Sequence, residues 1–262
     1  EDLGSGDVTS LAVVPQEAAF QGIMSAREDM VVAGLKISLE VFRTLAPSAT
    51  LEAVVADGES VASGAVLASL TGPARGLLTA ERTALNIVQH LSGIATLTNA
   101  YVRRIKGTRA VLLDTRKTIP GLRVLAKYAT KMGGAQNHRM RLDSGALIKD
   151  NHIAVSGGIK QAVARARAAG LSPIEVEVDT LDQVKQALEA HADTILLDNM
   201  DVQAMAQSVR IVSGRARTEA SGGVRLDNIR EIAQTGVDFI SVGRITQSAP
   251  AVDIGLDWTT TA

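Results

Sequence analysis

The stretch IEVEVDTLDQVKQALEAHADTILLDN, residues 174–199, holds the pattern that decides the fold. Ile174, Val176 and Val178 alternate with Glu175, Glu177 and Asp179, the period-two signature of a strand. A helical run, LDQVKQAL (181–188), follows, and TILLDN (194–199) reads as the next strand. The same order of strand, polar terminus and helix recurs on both sides. Upstream, AVLLDTRK (110–117) precedes a helix over Leu122–Lys131, and ALIKDN (146–151) precedes IKQAVARARAA (159–169). Downstream, VQAMAQSV (202–209) leads to RTEASGG (217–223), then LDNIREIA (226–233) and FISVGRI (239–245).

Landmarks at the strand ends, Glu177, Asp198, Ser221 and Gly243, are separated by 21, 23 and 22 residues. Repeats of such even length predict a parallel sheet, and this number of units favours an α/β barrel. Only about six strands are visible against the eight of a full barrel. The expected fold class is therefore α/β, an incomplete parallel barrel of about six to seven strands over residues 93–250.

Before the barrel, residues 1–78 read as short strands, including Phe20–Ala26 and Thr50–Val55, around one helix with Leu35, Leu39, Phe42 and Leu45 on a face. DGESVASGAVLASL (57–70) has the hairpin pattern of biotinyl and lipoyl carriers, but it lacks a turn lysine and reads as structural. Thr79 is predicted to cap a helix whose stripe, Ala84, Leu85, Val88 and Leu91, ends near Gly93. A second helix follows with Ile94, Leu97, Tyr101 and Ile105 on one face. Together these predict an α+β open-sandwich domain over 1–92, with 251–262 packing back on it.

Composition excludes several classes. At 262 residues the chain has room for one large barrel or two modest domains. A net charge of −1 gives no reason to expect nucleic acid or an anionic membrane as partner. No run approaches a membrane span. With no Cys there is no disulfide, thiolate nucleophile or Cys-bound zinc, which fits a cytoplasmic protein.

The charge is unevenly spread. Residues Asp114–His152 carry eight of the 27 Lys and Arg against three Asp, a formal +5. Gly133-Gly134, Pro120-Gly121 and Asn137-His138 break the segment into loops, where positioned chemistry gathers. Arg116 and Arg139 offer planar forks for carboxylates, Lys117 and Lys149 offer point charges, and His138 can titrate. The bland reading is a solvated basic face. Against it, a parallel barrel gathers its strand ends in one mouth: Arg116, Lys117, Lys149, Glu177, Asp198, the Ser221-Gly222-Gly223 turn and Gly243. With the valines of 174–179 facing helices, Glu175, Glu177 and Asp179 point inward, where they must meet Lys149, Lys117 or a metal. Glycine turns followed by helix N-termini suit a phosphate. The implied ligands are a phosphate, a metal-bound polyanion and carboxylates.

The motifs TRKT (115–118), PGLR (120–123), GG (133–134), NHR (137–139) and LIKDNH (147–152) resemble the quinolinate phosphoribosyltransferases. The resemblance is colinear from EDLG (1–4) to DIGLD (253–257). It implies phosphoribosyl transfer from phosphoribosyl pyrophosphate to quinolinate with decarboxylation, giving nicotinate mononucleotide. It implies that Arg116, His138, Arg139 and Lys149 hold quinolinate, and that Lys117 and Lys149 face the donor. By the same resemblance Glu177 and Asp198 serve Mg²⁺ and the ribose, and Ser221, Gly222, Gly223 and Gly243 take the 5-phosphate. Arg82, which by itself reads as an exposed first-turn arginine, would reach quinolinate across a homodimer interface. Two departures stand out: Ala135 where a third glycine is common, and a more basic 139–145 segment in which Arg141 reads as a surface charge. The rivals are an aldolase-type Schiff-base lysine at Lys149, a non-catalytic anion-binding module, and a related protein associated with molybdenum transport.

Overall fold

The structure, a computed structural model, describes residues 2–259. Residue 1 and residues 260–262, which the expected domain limits include, lie outside the described residues. The chain divides into two compact units. One comprises residues up to Asn99, Tyr128–Gly134 and residues from Ser248 onward, and the other comprises Ala100–Lys127 and Ala135–Gln247.

In chain order the first unit holds α1 (Val8–Val13), β1 (Ala19–Ala26), β2 (Met30–Val31), α2 (Leu35–Leu45), β3 (Thr50–Ala53), β4 (Ser60–Val61) and β5 (Val66–Pro73). The helix α3 (Ala74–Ile105) starts in this unit. β5 pairs antiparallel with β1 on one side and β3 on the other. Met24, Leu67, Leu70, Leu35, Phe42 and Leu77 bury their side chains in the shared core, while Leu45 is 37% exposed and leaves the expected stripe. The start of α2 is held by Asp57, whose carboxylate accepts the N–H groups of Gly34 (2.9 Å) and Leu35 (3.1 Å).

Three local predictions fail here. The 57–70 hairpin does not form, because β4 pairs with β2 and β5 pairs with β1 and β3. Thr79 does not cap a helix, since α3 has already begun at Ala74 and the Thr79 hydroxyl donates back to the Arg75 carbonyl at 2.7 Å. Nor does Gly93 end it. A Cβ there would lie 2.0 Å from the Pro250 carbonyl oxygen, so this glycine allows close backbone approach inside one 32-residue helix. Buried Ile94, Ala95, Thr98 and Tyr101 carry the apolar stripe onward. Arg82 consequently stands in the third turn of α3, exposed, rather than in the first.

The second unit continues through β6 (Val111–Leu113), α4 (Arg123–Met132, whose last residues belong to the first unit), β7 (Ala146–Ile148), α5 (Asp150–Ser156), α6 (Ile159–Ala168) and β8 (Ile174–Val178). Next come α7 (Leu181–Glu189), β9 (Thr194–Asp198), α8 (Val202–Val212), β10 (Arg217–Ser221), α9 (Ile229–Gln234), β11 (Phe239–Ser241) and α10 (Arg244–Gln247). The last strand, β12 (Ile254–Trp258), returns to the first unit and pairs antiparallel with β1.

Six parallel strands form one sheet in the order β6-β11-β10-β9-β8-β7. Its described edges are β6 and β7, and a single parallel bridge, Leu113 to Gln136, extends it beyond β6. The mixed α/β architecture with an incomplete parallel barrel stands as expected. Ile174, Val176 and Val178 are buried, as are Ile195, Leu196 and Leu197 of the next strand. Helix starts carry their own stops for orphan N–H groups. Thr180 and Gln183 make a capping box on α7, and Asp201 accepts the Ala204 N–H (2.7 Å) on α8.

Candidate active site

Parallel register determines which residues meet. Ile148 lies opposite Val176, Glu177 opposite Leu196, and Asp198 opposite Ser221. Lys149, Glu177, Asp198 and Ser221 therefore emerge side by side at the carboxyl ends of β7, β8, β9 and β10. Across the sheet, Ser241 lies opposite Leu113, so the Val242-Gly243 turn stands beside Thr115, Arg116 and Lys117. The nine residues expected in the barrel mouth, from Arg116 to Gly243, line one cavity of about 760 Å³, and His138 and Arg139 line it with them. That volume falls in the usual range of small-molecule sites, roughly 300–1,000 Å³.

One side of the cavity is a carboxylate–lysine arrangement. Lys149 Nζ lies 2.7 Å from Glu177 Oε2. Burial and then the neighbouring Glu177 hold the Asp198 carboxyl above its ordinary value, against the opposing pull of Lys149, Asn199 and Lys117. Asn199 donates to Asp198 Oδ2 at 2.7 Å from a left-handed backbone (φ 52°). Gly222 follows with φ 85°, and a Cβ on it would lie 2.2 Å from Asn199 Oδ1, so only glycine fits that turn. A Cβ on Gly243 would press on Lys117 Cδ at 2.9 Å, which leaves backbone open to the cavity.

The other side is cationic. Burial and then the adjacent Arg116 pull the Arg139 guanidinium below its ordinary value, with Glu175 acting the other way. Arg116 Nε is buried and has no hydrogen-bond partner. Two crowded guanidiniums with an orphaned donor match a ligand bearing more than one carboxylate.

His138 lines the same cavity. Its Nδ1 accepts the Arg139 backbone N–H at 2.8 Å, so the ring proton lies on Nε2, which is 3.1 Å from Glu175 Oε2. Burial pulls this imidazole down, while Glu175 and Glu219 push it up, and the balance lies above the ordinary histidine value. A proton on Nδ1 would still have to displace the Arg139 N–H. Glu219 is 2% exposed, and burial together with Glu175 pushes its carboxyl up to about 8.

Glu219→Gln is expected to remove a pH-dependent loss of stability. The folded value, about 8, lies above the ordinary 4.5, so the stabilisation is complete below 4.5 and is lost as pH rises through about 8. Thermal midpoints of the two chains, compared from roughly pH 5 to 9, should diverge in favour of the glutamine form. A gap that does not change with pH would show that Glu219 never ionises in the folded protein.

Several readings need correction. Asp179 does not point inward: it lies past the end of β8, exposed, and its N–H binds Gln183 (2.8 Å). Lys149 is not deep in a strand. It follows β7, its side chain is 47% exposed, and its ammonium is paired, which removes the basis for a Schiff-base lysine. Lys127 of the basic segment leaves the cavity altogether and pairs with Asp114, both fully buried. Arg141, by contrast, is the surface charge expected, beside Asp143.

Other residues of the site went unread. Glu219 shares a strand face with Ser221, and strict alternation along 217–221 would have found it. Arg123 donates to Thr118 Oγ1 (3.1 Å) and to the carbonyls of Arg116 and Met140 (3.4 and 3.5 Å), tying together the segments that carry Arg116 and Arg139. No local signal distinguishes Arg123 from its basic neighbours.

Comparison with known proteins agrees with this geometry. The family models described as quinolinate phosphoribosyl transferase, N-terminal and C-terminal domains, match residues 7–92 and 94–257. The nicotinate-nucleotide pyrophosphorylase [carboxylating] of Mycobacterium leprae is 46% identical, over 98% of this chain and 93% of the relative. A probable enzyme of the same name from Bacillus subtilis is 41% identical, over 99% and 90%. Among solved structures, the nicotinate-nucleotide pyrophosphorylase of Francisella tularensis superposes with a TM-score of 0.95 at 40% identity, covering 98% of this chain and 92% of its own. That of Ehrlichia chaffeensis gives 0.94 at 41%, covering 98% and 94%.

Proposed function

We propose how this chain works from one premise: it belongs to the quinolinate phosphoribosyltransferase family. It transfers the phosphoribosyl group of phosphoribosyl pyrophosphate to the ring nitrogen of quinolinate. Pyrophosphate and CO₂ leave, and nicotinate mononucleotide is formed for NAD biosynthesis. The observation that carries this reading is the division of one cavity into a crowded arginine side and a carboxylate–lysine side with glycine turns.

Arg116 and Arg139 receive the carboxylates of quinolinate, and His138 shapes that side. The Ser221-Gly222-Gly223 turn and Gly243 receive the 5-phosphate through backbone N–H groups, as glycine turns at this end of a barrel do. Lys117 and Lys149 face the donor. As the bond from ribose C1 to pyrophosphate lengthens, positive charge grows on the ribose, and Glu177 and Asp198 stabilise it. Attack by the pyridine nitrogen makes a cationic ring. Loss of CO₂ leaves an electron pair at C2, which that ring charge stabilises until a proton replaces the carboxylate.

Mg²⁺ fits the oxygen donors of Glu177 and Asp198, whose mutual repulsion a cation would relieve. Such ions use one or two carboxylates together with substrate phosphates. When bound, it supplies charge neutralisation on the leaving pyrophosphate. Among the described residues no helix is long and apolar enough to cross a membrane, and a cytoplasmic location is part of this reading.

The test is formation of nicotinate mononucleotide from quinolinate, donor and Mg²⁺. Absence of product, with the chain folded, would overturn the assignment.

The homodimer with Arg82 acting across its interface belongs to the same proposal, supported by the exposure of Arg82 on α3. Arg82→Ala and Lys149→Ala should each lose at least about 100-fold in activity, the scale of one preorganised electrostatic contact. Mixed under conditions of subunit exchange, the two should recover activity. One site of each hybrid dimer is then intact, so about a quarter of all sites should work. No recovery, with exchange shown by a mass-tagged chain, would mean that Arg82 acts within its own subunit or not at all.

A further inference from the structure

Beneath the arginine side of the cavity lie two acids that no part of the reaction uses. His138, Glu175 and Glu219 bring potential ligand atoms within 4.8 Å of one another. Glu175 Oε1 and Glu219 Oε1 are buried and have no hydrogen-bond partner. Two buried acids this close are costly unless each has a task, because desolvation and like-charge repulsion both oppose them.

The hydrogen bonds run in one direction. Glu175 Oε2 faces the Nε2–H of His138 at 3.1 Å. The other ring nitrogen, Nδ1, accepts the backbone N–H of Arg139 at 2.8 Å. The Arg139 guanidinium is in turn anchored to the Gly145 carbonyl at 3.0 Å. Behind this chain, Glu219 closes on the same imidazole at 3.6 Å. Resting on the reaction proposed above, we infer that Glu175, backed by Glu219, is a positioning residue for quinolinate, acting through His138 to fix the backbone that carries Arg139.

The arrangement favours this role over a cation site. The ring nitrogen that faces both acids, Nε2, carries the proton that Glu175 accepts, so it offers no lone pair to a metal. His138 also cannot turn Nδ1 elsewhere without releasing the Arg139 N–H. The donor side of the cavity is built from other residues, Lys149, Glu177, Asp198 and the glycine turns, so the two substrates report separately on this device.

The experiment measures KM for each substrate and kcat in Glu175→Ala and Glu175→Gln. Glu175→Ala should raise KM for quinolinate at least about 10-fold, in keeping with the cost of small misplacements in a site. KM for phosphoribosyl pyrophosphate should change less than about 3-fold on the same argument. Glu175→Gln, whose amide oxygen can still accept from His138, should recover most of the loss. Glu175→Asp keeps the charge but shortens the reach, so it carries the same expectation if the alanine chain does not fold. A parallel rise in both KM values, a fall in kcat alone, or a glutamine form as impaired as alanine would overturn the role. So would a tightly held metal ion found in the purified wild-type protein. Failure of wild type to make nicotinate mononucleotide overturns the reaction itself; normal wild-type turnover without the split in KM overturns only this inference.

Discussion

Nicotinate is expected to be turned over at least about 10⁴-fold less efficiently than quinolinate, measured as kcat/KM with saturating phosphoribosyl donor. Nicotinate lacks the 2-carboxylate, so part of the cationic side of the cavity would be buried without a counter-charge. The structure sharpens the source of this discrimination. Both nitrogens of His138 already have partners in Glu175 and the Arg139 N–H. The demand for a second carboxylate therefore falls on Arg139, crowded by Arg116, and on the unpartnered Arg116 Nε. Sites built around a polar group reject analogues that lack it because their own groups are left unsatisfied. Comparable kcat/KM values for the two acids would mean that these guanidiniums do not read the 2-carboxylate.

Lys127→Ala is expected to destabilise the chain by about 3–5 kcal/mol, the usual cost of breaking a buried ion pair from one side. Lys127 and Asp114 are both 0% exposed and bonded to each other. Asp114 also accepts the Asn137 Nδ2–H (2.6 Å) and the His138 backbone N–H (2.9 Å). Removing the ammonium leaves a buried carboxylate at the end of β6 and loosens the segment that leads into Arg139. The measurement is chemical denaturation of wild type and variant in parallel, with Lys127→Ala/Asp114→Asn as the companion. The double variant should recover part of the loss, because it removes the buried negative charge that has lost its lysine, while the amide oxygen can still accept one of the two N–H groups, from His138 or from Asn137. A change below about 1 kcal/mol would put this pair in the class of solvated surface bridges.

These two outcomes separate residues that look alike in the chain. Lys117, Lys127 and Lys149 lie within one basic segment, each in an ordinary local context. One lines the glycine turn, one is a core cation, and one is paired at the end of a strand. Nothing in the neighbouring residues records that Asp114 waits behind Lys127, since the contact is made across the turn from β6 into α4. In the same way Thr79 and Gly93 carry good local signals for a helix start and stop. Both are overridden by burial of the stripe that runs on through Tyr101 and by the close passage of Pro250. Local propensity is worth a fraction of a kcal/mol per residue, and packing decides against it.

What the sequence determined by itself was the alternation of strand and helix, hence a parallel sheet, and the set of residues at its carboxyl ends. Period-two and period-3.6 patterns are local, and a parallel βα repeat brings every strand end to one mouth whatever the details. That is why Glu177, Asp198, Ser221 and Gly243 could be named from their spacing alone. Only the tertiary structure decided what each side chain faces. It gave Lys149 to Glu177, Lys127 to Asp114, and His138 to Glu175 and Glu219, and it denied the mouth to Asp179. It also paired β4 with β2 rather than β5. Such pairings join residues 13 to 81 positions apart. They are settled by sheet register and by the cost of leaving a buried charge or backbone group without a partner, quantities that no local stretch of the chain contains.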